Sequence, residues 1–163
     1  MDALEVIRKR RSIRSYQKEK ISRELLESLV EAGRLAATAR NEQPWEFIVV
    51  TEAEMLRRLA EATTYGKHIA EAPAAIVVYC RHTKYEVEDG SAATQNILLA
   101  ACAQGLGTCW VNGSQATYAG KVSELLGVPA DYRLVSLIPV GRPAADPKPP
   151  KRPLKEVLHW EKF

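Results

Sequence analysis

The sequence lacks the motifs that most often mark a catalytic class. There is no GxGxxG, so a Rossmann dinucleotide site is not expected, and there is no Walker A loop. No GxSxG offers a hydrolase nucleophile and no HExxH offers a zinc site. The 3 histidines, His68, His82 and His159, have no metal-ligand spacing, so no resident metal is expected. The 3 cysteines, Cys80, Cys102 and Cys109, are odd in number and show no CxxC, which reads as reduced core thiols of a cytoplasmic protein. No apolar run approaches the ~20 residues of a membrane helix. The charged N-terminal segment carries no apolar stretch of the signal-peptide kind. No repeat is visible, and the one biased tract is the proline-rich stretch Pro143–Pro153.

What is present is an ordinary globular composition. With 163 residues, 46% apolar and 26% charged, the chain suits one domain, 1–163, around one core. A net charge of +3 does not call for a nucleic acid or a membrane as partner. The positive charge is nonetheless clustered, at Arg8, Lys9, Arg10, Arg11 and Arg14 and again at Lys148, Lys151 and Arg152. Aromatic residues do not interleave these runs, which argues against a nucleic-acid module.

Periodicity gives a coarse map. Residues 2–10 read as a short helix and 22–37 as a longer one with Ser22 as N-cap. Trp45–Val50 reads as a buried strand, and Thr51 with Glu54 as a capping box for the next helix. Residues 63–73 read as a loop and Ala74–Cys80 as an Ile/Val-rich strand. Asp89 is expected to cap a helix over about 90–104, ended by Gly105 and Gly107. A short strand Thr108–Val111, a helix over 117–126 stopped by Gly127 and Pro129, and a strand Tyr132–Val140 follow. The order gives α+β or α/β around one central sheet. After Gly141 the prolines forbid helix and central strand, so 142–163 is expected to be an extended arm. That arm carries Leu154, Val157, Leu158, Trp160 and Phe163, which need a docking site, and a second copy of the chain supplies one.

Five segments are candidates for chemistry. Arg10-Arg11-Ser12-Ile13-Arg14 packs guanidinium forks and a hydroxyl densely enough to grip a phosphate, although basic residues at a helix end are more often solvated. Asn41-Glu42-Gln43-Pro44-Trp45-Glu46-Phe47 sets two amides, Asn41 and Gln43, between a helix end and a strand start, where ligand amides are commonly found. In Trp110-Val111-Asn112-Gly113 a glycine at a strand exit allows a backbone N–H to approach a planar ring, and one N–H aimed at a reactive flavin nitrogen would orient and tune it. Lys151 and Arg152 would complete a phosphate site if the arm folds back, and Tyr65, Lys67 and His68 stand in a loop able to line a pocket. Together these segments fit a phosphorylated, flat, polar-edged heterocycle, and flavin mononucleotide (FMN) fits best.

In their order and spacing these pieces resemble the FMN-dependent nitroreductase family. The resemblance runs nearly end to end, adding the helix Ala93–Ala103 followed by Gly-Leu-Gly, Pro-Val-Gly at 139–141 and the Lys-Arg-Pro-Leu tail. It implies an α+β fold with a central, mostly antiparallel sheet flanked by helices, and a C-terminal arm extended over the partner in a homodimer. It also implies two FMN molecules at the subunit interface. Phosphate contacts fall to Arg10, Arg11, Ser12 and Arg14 with the tail cations Lys151 and Arg152. Ring and ribityl contacts fall to Asn41, Gln43, Trp110, Val111, Asn112 and Gly113, and substrate contacts to Tyr65 and His68. The implied reaction is ping-pong, from NADH or NADPH to a nitroaromatic, quinone or similar small acceptor, with no acid–base side chain required. Dehalogenation, flavin transformation and a non-catalytic flavin carrier or sensor remain open. Two departures stand out: Ala37-Thr38 replaces the family's frequent Pro-Ser, and residues 81–90 are short where larger relatives shape the substrate pocket.

Overall fold

The apolar run Ala-Ala-Ile-Val-Val-Tyr-Cys at 74–80 decides the architecture. A strand apolar at successive positions must be covered on both faces. In the computed structural model, which describes residues 2–163, it is β2 (Ala74–Arg81), flanked by β1 (Trp45–Val50) and β5 (Tyr132–Gly141). Two further pieces, β3 (Gly107–Thr108) and β4 (Val111–Asn112), pair with the far side of β5. The order is β1-β2-β5-β3, and every ladder is antiparallel.

Helices cover both faces. α2 (Arg23–Arg34) and α4 (Glu86–Ala103) pack on one side, where Ala74, Ile76, Val78 and Cys80 point. α3 (Ala53–Ala62) and α5 (Ala119–Leu126) pack on the other, against Ala75, Val77 and Tyr79. Alternate side chains of one strand thus enter two separate apolar clusters, as the period of two requires. A register shift beside Val78 lets Val135 and Ser136 both face α4, where Ser136 meets the Thr94 hydroxyl at 2.8 Å. The short α1 (Ala3–Lys9) is capped by Asp2, whose carboxylate accepts the Glu5 N–H. α5 ends on Gly127, left-handed at φ +67°.

Several expectations need correction. α2 stops at Arg34, short of 37. The capping box does not form: α3 begins after Glu52, so Thr51 lies one residue too early to cap it. Residues Lys67–Glu71 of the supposed loop wind into a 3-10 turn. α4 starts at Glu86 because only residues 82–85 connect it to β2, so Asp89 lies within the helix rather than capping it. β1 is half-buried, with Glu46 and Val49 exposed, because it is an edge strand paired with β2 alone.

The expected strand Thr108–Val111 is present as two pieces in one register. Gly107 opposes Gly141 and Val111 opposes Leu137, so the interruption sets Cys109 opposite Pro139. Proline has no N–H to offer the ladder, which breaks there.

The arm is extended and mostly exposed. Ala144 donates to the Ser15 carbonyl and Gln17 to the Arg142 carbonyl, which ties its start to residues 15–17. Beyond that, Leu154, Val157, Leu158, Trp160 and Phe163 are all exposed, Phe163 fully so.

Candidate functional site

The basic segment 10–16 is extended because it is stitched to the sheet. Ile13 donates to the Thr108 carbonyl at 2.8 Å, Ser12 bridges Thr108, and Tyr16 bridges Pro143. Ile13 seats directly on Gly107, where an added Cβ would lie 2.8 Å from it. This anchoring sorts the side chains. Arg11 turns back to α1, where its Nη1 donates to the carbonyls of Arg8 (2.7 Å) and Arg10 (2.8 Å). It therefore serves as a C-terminal cap, and its Nε is buried without a partner. Arg10, Ser12 and Arg14 are not drawn into that cap, and their electrostatic influence reaches the Cys109 thiol. Burial pushes that thiol up, against the opposing pull of Arg14, the Ser12 hydroxyl and Arg10. Arg10 also borders a separate small groove with Arg11 and Cys102.

The strand pieces beside it expose a specific donor. In an antiparallel ladder, alternate residues turn both N–H and C=O away from the partner strand. Gly113 donates to the Val135 carbonyl at 3.0 Å, so it belongs to the inward set. Of the two residues whose backbone is expected to face a ring, Gly113 therefore keeps its N–H inside the sheet. Its missing Cβ serves packing, because an added Cβ would lie 2.4 Å from Leu134 Cγ. Thr108 and Asn112 belong to the outward set. The Thr108 carbonyl receives Ile13, and the Asn112 carbonyl receives the Tyr118 hydroxyl in a short bond. The Asn112 N–H points the same way and has no protein acceptor among the described residues.

Arg14 and Asn112 border one cleft of about 670 Å³, a volume suited to a cofactor-sized ligand, whereas Arg10, Ser12 and Gly113 do not line it. Arg14, Tyr65, His68, Trp110, Val111 and Asn112 line it, so the structure brings together six of the residues singled out from sequence. Arg14 forms no ion pair there among the described residues. His68 Nε2 is buried without a partner, and burial followed by the nearby Arg14 charge holds the imidazole below its ordinary pKa, against Glu71. A cation, a neutral imidazole and an outward N–H thus share a cleft walled by Trp110 and Val111. Cys109, Gln115, Thr117 and Tyr118 also line it and were not anticipated; only their position between a strand and a helix start hinted at them.

Other candidates stand apart within one chain. Asn41 and Gln43 are exposed on the loop before β1 and do not line this cleft. Lys151 and Arg152 are exposed in the arm, where Arg152 donates to the Glu156 carbonyl at 2.9 Å. No cluster of metal-ligating side chains was found among the described residues, and no described helix is long and apolar enough to cross a membrane.

A helix-covered antiparallel sheet with a cleft lined by Arg14, His68 and Trp110 defines an α+β protein. The Nitroreductase family model matches residues 7–85 and 63–142, and the chain belongs to the nitroreductase family. It is 43% identical over 149 residues to a protein of Archaeoglobus fulgidus provisionally named NADH dehydrogenase/NAD(P)H nitroreductase, covering 87% of this chain and 86% of that one. Its fold matches the solved FMN-dependent nitroreductase of Clostridium difficile R20291 at a TM-score of 0.92 and 31% identity, over 98% of this chain and 99% of that one. It also matches a provisionally named nitroreductase of Desulfovibrio desulfuricans, solved in complex with FMN, at a TM-score of 0.89 and 34% identity, over 100% and 98% of the two chains.

Proposed function

We propose that the chain is an FMN-dependent oxidoreductase that uses NADH or NADPH to reduce nitroaromatics, quinones or related small acceptors by a ping-pong route. Family membership and the relatives' names support the general activity. The observation that carries the site is the cleft itself, with Arg14, the unpartnered His68 Nε2 and the outward Asn112 N–H all lacking protein partners beside Trp110 and Val111. These are the complements a flavin ring edge and its phosphate need.

In this reading Arg10, Ser12 and Arg14 hold the phosphate, and Arg11 fixes the backbone between them. Of the Asn112–Gly113 backbone expected to face the ring, the Asn112 N–H is the donor that meets it. Tyr118, holding the Asn112 carbonyl, keeps that N–H aimed. When bound, FMN supplies the hydride chemistry, accepting the pair from NAD(P)H and passing it to the acceptor after the nicotinamide leaves. Tyr65, His68, Gln115 and Thr117 border the space where both substrates would stack. The short 82–85 connector adds no lid over it.

The working unit in this reading is a homodimer in the cytoplasm. The unpaired edge of β1 and the exposed apolar arm are surfaces a single soluble chain seldom leaves open. A second copy would bring Asn41 and Gln43 to the cleft, and the arm would carry Lys151 and Arg152 toward the phosphate. Three unpaired thiols fit a reducing compartment.

The test is the visible spectrum of the purified protein, before and after anaerobic NADH or NADPH. A flavin spectrum that bleaches is expected, as is loss of bound flavin in Arg14→Ala. A colourless protein that refuses added FMN would overturn the reading, while an unbleached flavin would favour a carrier or sensor.

A further inference from the structure

The loop before β1 adopts a backbone that L-residues avoid. Arg40, Asn41 and Gln43 all lie in the left-handed region, at φ +54°, +58° and +48°. Asparagine tolerates this conformation, but arginine and glutamine gain nothing from it. Such clusters persist only where their surroundings over-determine them. Three contacts hold this one. The Gln43 N–H donates to Thr38 Oγ1 at 3.3 Å, and the Pro44 carbonyl accepts the Arg81 N–H at 2.8 Å. The Ala39 N–H donates to Asp89 Oδ1 at 3.0 Å.

The third contact is the unusual one. Asp89 is 4% exposed, on the first turns of α4, and no cation pairs with it among the described residues. Its Oδ2 is buried with no partner. Glu86, one turn earlier, already engages Arg133 at 3.0 Å and His82 at 3.4 Å. The buried Cys80 thiol beside it is pushed up to about 12, first by burial and then by Asp89 and Glu86. A buried carboxyl oxygen left without a partner is a liability for stability. Among the described residues, the one hydrogen bond its side chain makes is the tether to Ala39.

We propose that Asp89 is a positioning residue: through the Ala39 N–H it holds the 38–43 loop in its strained form, so that Asn41 and Gln43 are presented to the flavin. This rests on the reading that those amides contact FMN. A tether from α4 fits that task, since α4 packs on β2 and β5 and does not move with the loop.

The experiment is titration of apo-protein with FMN, followed by flavin fluorescence, with the thermal midpoint of each apo-protein in parallel. Asp89→Ala should weaken FMN affinity by about tenfold, the range expected when a buried hydrogen bond is lost and its donor is left unpartnered. Asp89→Asn keeps an oxygen for the same N–H and should bind within about threefold of the parent. Ala39→Pro removes the donor instead. Thr38, at φ −130° and ψ 154°, already has the conformation a following proline requires. This variant should copy the loss seen in Asp89→Ala, and it serves as the test if that variant does not fold. Arg40→Gly added to Asp89→Ala should recover part of the affinity, because glycine removes the crowding that the tether opposes.

A merely structural Asp89 would lower the apo midpoint in step with affinity and would not respond to glycine at 40; that pattern overturns the proposal. Wild-type affinity in both Asp89→Ala and Ala39→Pro overturns it as well. Asn41→Ala separates the two levels. If it leaves affinity unchanged, the reading of the loop as a flavin ligand fails. If it weakens FMN while Asp89→Ala does not, only the positioning role fails.

Discussion

The segments 107–113 and 38–43 both offer polar groups for a ligand, by opposite means. The first relies on the sheet. One register runs from Gly107 to Gly113 along β5, and its alternation alone turns the Thr108 and Asn112 backbone outward. No unusual torsion is involved, and the two outward carbonyls find donors in Ile13 and Tyr118. The second has no ladder. Its groups are displayed by left-handed residues that are held by Thr38 within the loop and from outside by Asp89 and Arg81. Regular structure supplies precision wherever register is fixed, whereas an irregular loop needs dedicated anchors. The two segments should therefore fail differently when perturbed.

The largest effect is expected at Gly113. An alanine Cβ would sit 2.4 Å from Leu134 Cγ, inside any acceptable contact. Either β4 lifts off β5 or Leu134 leaves its place in the core. Gly113→Ala should destabilise the protein by about 3 kcal/mol, at the upper end for overpacking, and urea unfolding would read this. FMN affinity should fall with it, since the Asn112 N–H moves with the strand. Unchanged stability would mean that β4 is not clamped to β5 and that the contrast with the loop is misplaced. In the loop, by comparison, Arg40→Gly alone should raise stability by about 0.5 kcal/mol, because glycine fits φ > 0 without strain.

A smaller effect is expected at Tyr118. Its hydroxyl donates to the Asn112 carbonyl across the turn into α5. Tyr118→Phe leaves that carbonyl facing the cleft without its partner, at a cost of about 1 kcal/mol. Because the register of β4 persists, the loss should show as a change in flavin absorption and redox behaviour rather than as loss of binding. Complete loss of FMN from this variant would mean that Asn112 is held by Tyr118 rather than by the ladder.

This contrast also explains what was legible in the sequence. α2 was readable because Ser22 caps it and the leucines follow helical spacing; β2 was readable because its run is apolar throughout. Arg10, Ser12 and Arg14 were readable as a group, but Arg11 was not separable from them, since its turn toward α1 depends on Ile13 being seated on Gly107. Which of Asn112 and Gly113 turns its N–H outward was not readable, because the direction of an N–H depends on pairing parity, which is fixed by a strand more than twenty residues away. Asp89 looked like a cap because Asp is a good one. Only the short connector 82–85 and a contact fifty residues back at Ala39 show what it touches. Nothing local announced the left-handed loop, because Arg40 and Gln43 are not residues that choose that conformation.

The subtlest expected effect concerns His68, on the ladder side of the comparison. Its Nε2 is buried without a partner, and burial first and Arg14 second lower its pKa, with Glu71 working against them. The unfolded chain takes up a proton near the ordinary value of 6.5, while the folded chain does so only at lower pH. Between those two values the unfolded state binds more protons, so stability must fall as pH drops below 6.5. In apo-protein, His68→Gln should flatten that acid limb, read as thermal midpoint against pH, and leave the neutral range nearly unchanged. Arg14→Ala should move the onset of the limb in the opposite sense to burial, because the imidazole then charges more easily. Superimposable profiles for the parent and His68→Gln would mean that this imidazole is hydrated in solution. The cleft would then be shaped for its ligand only after the ligand arrives, as the 38–43 loop would be without Asp89.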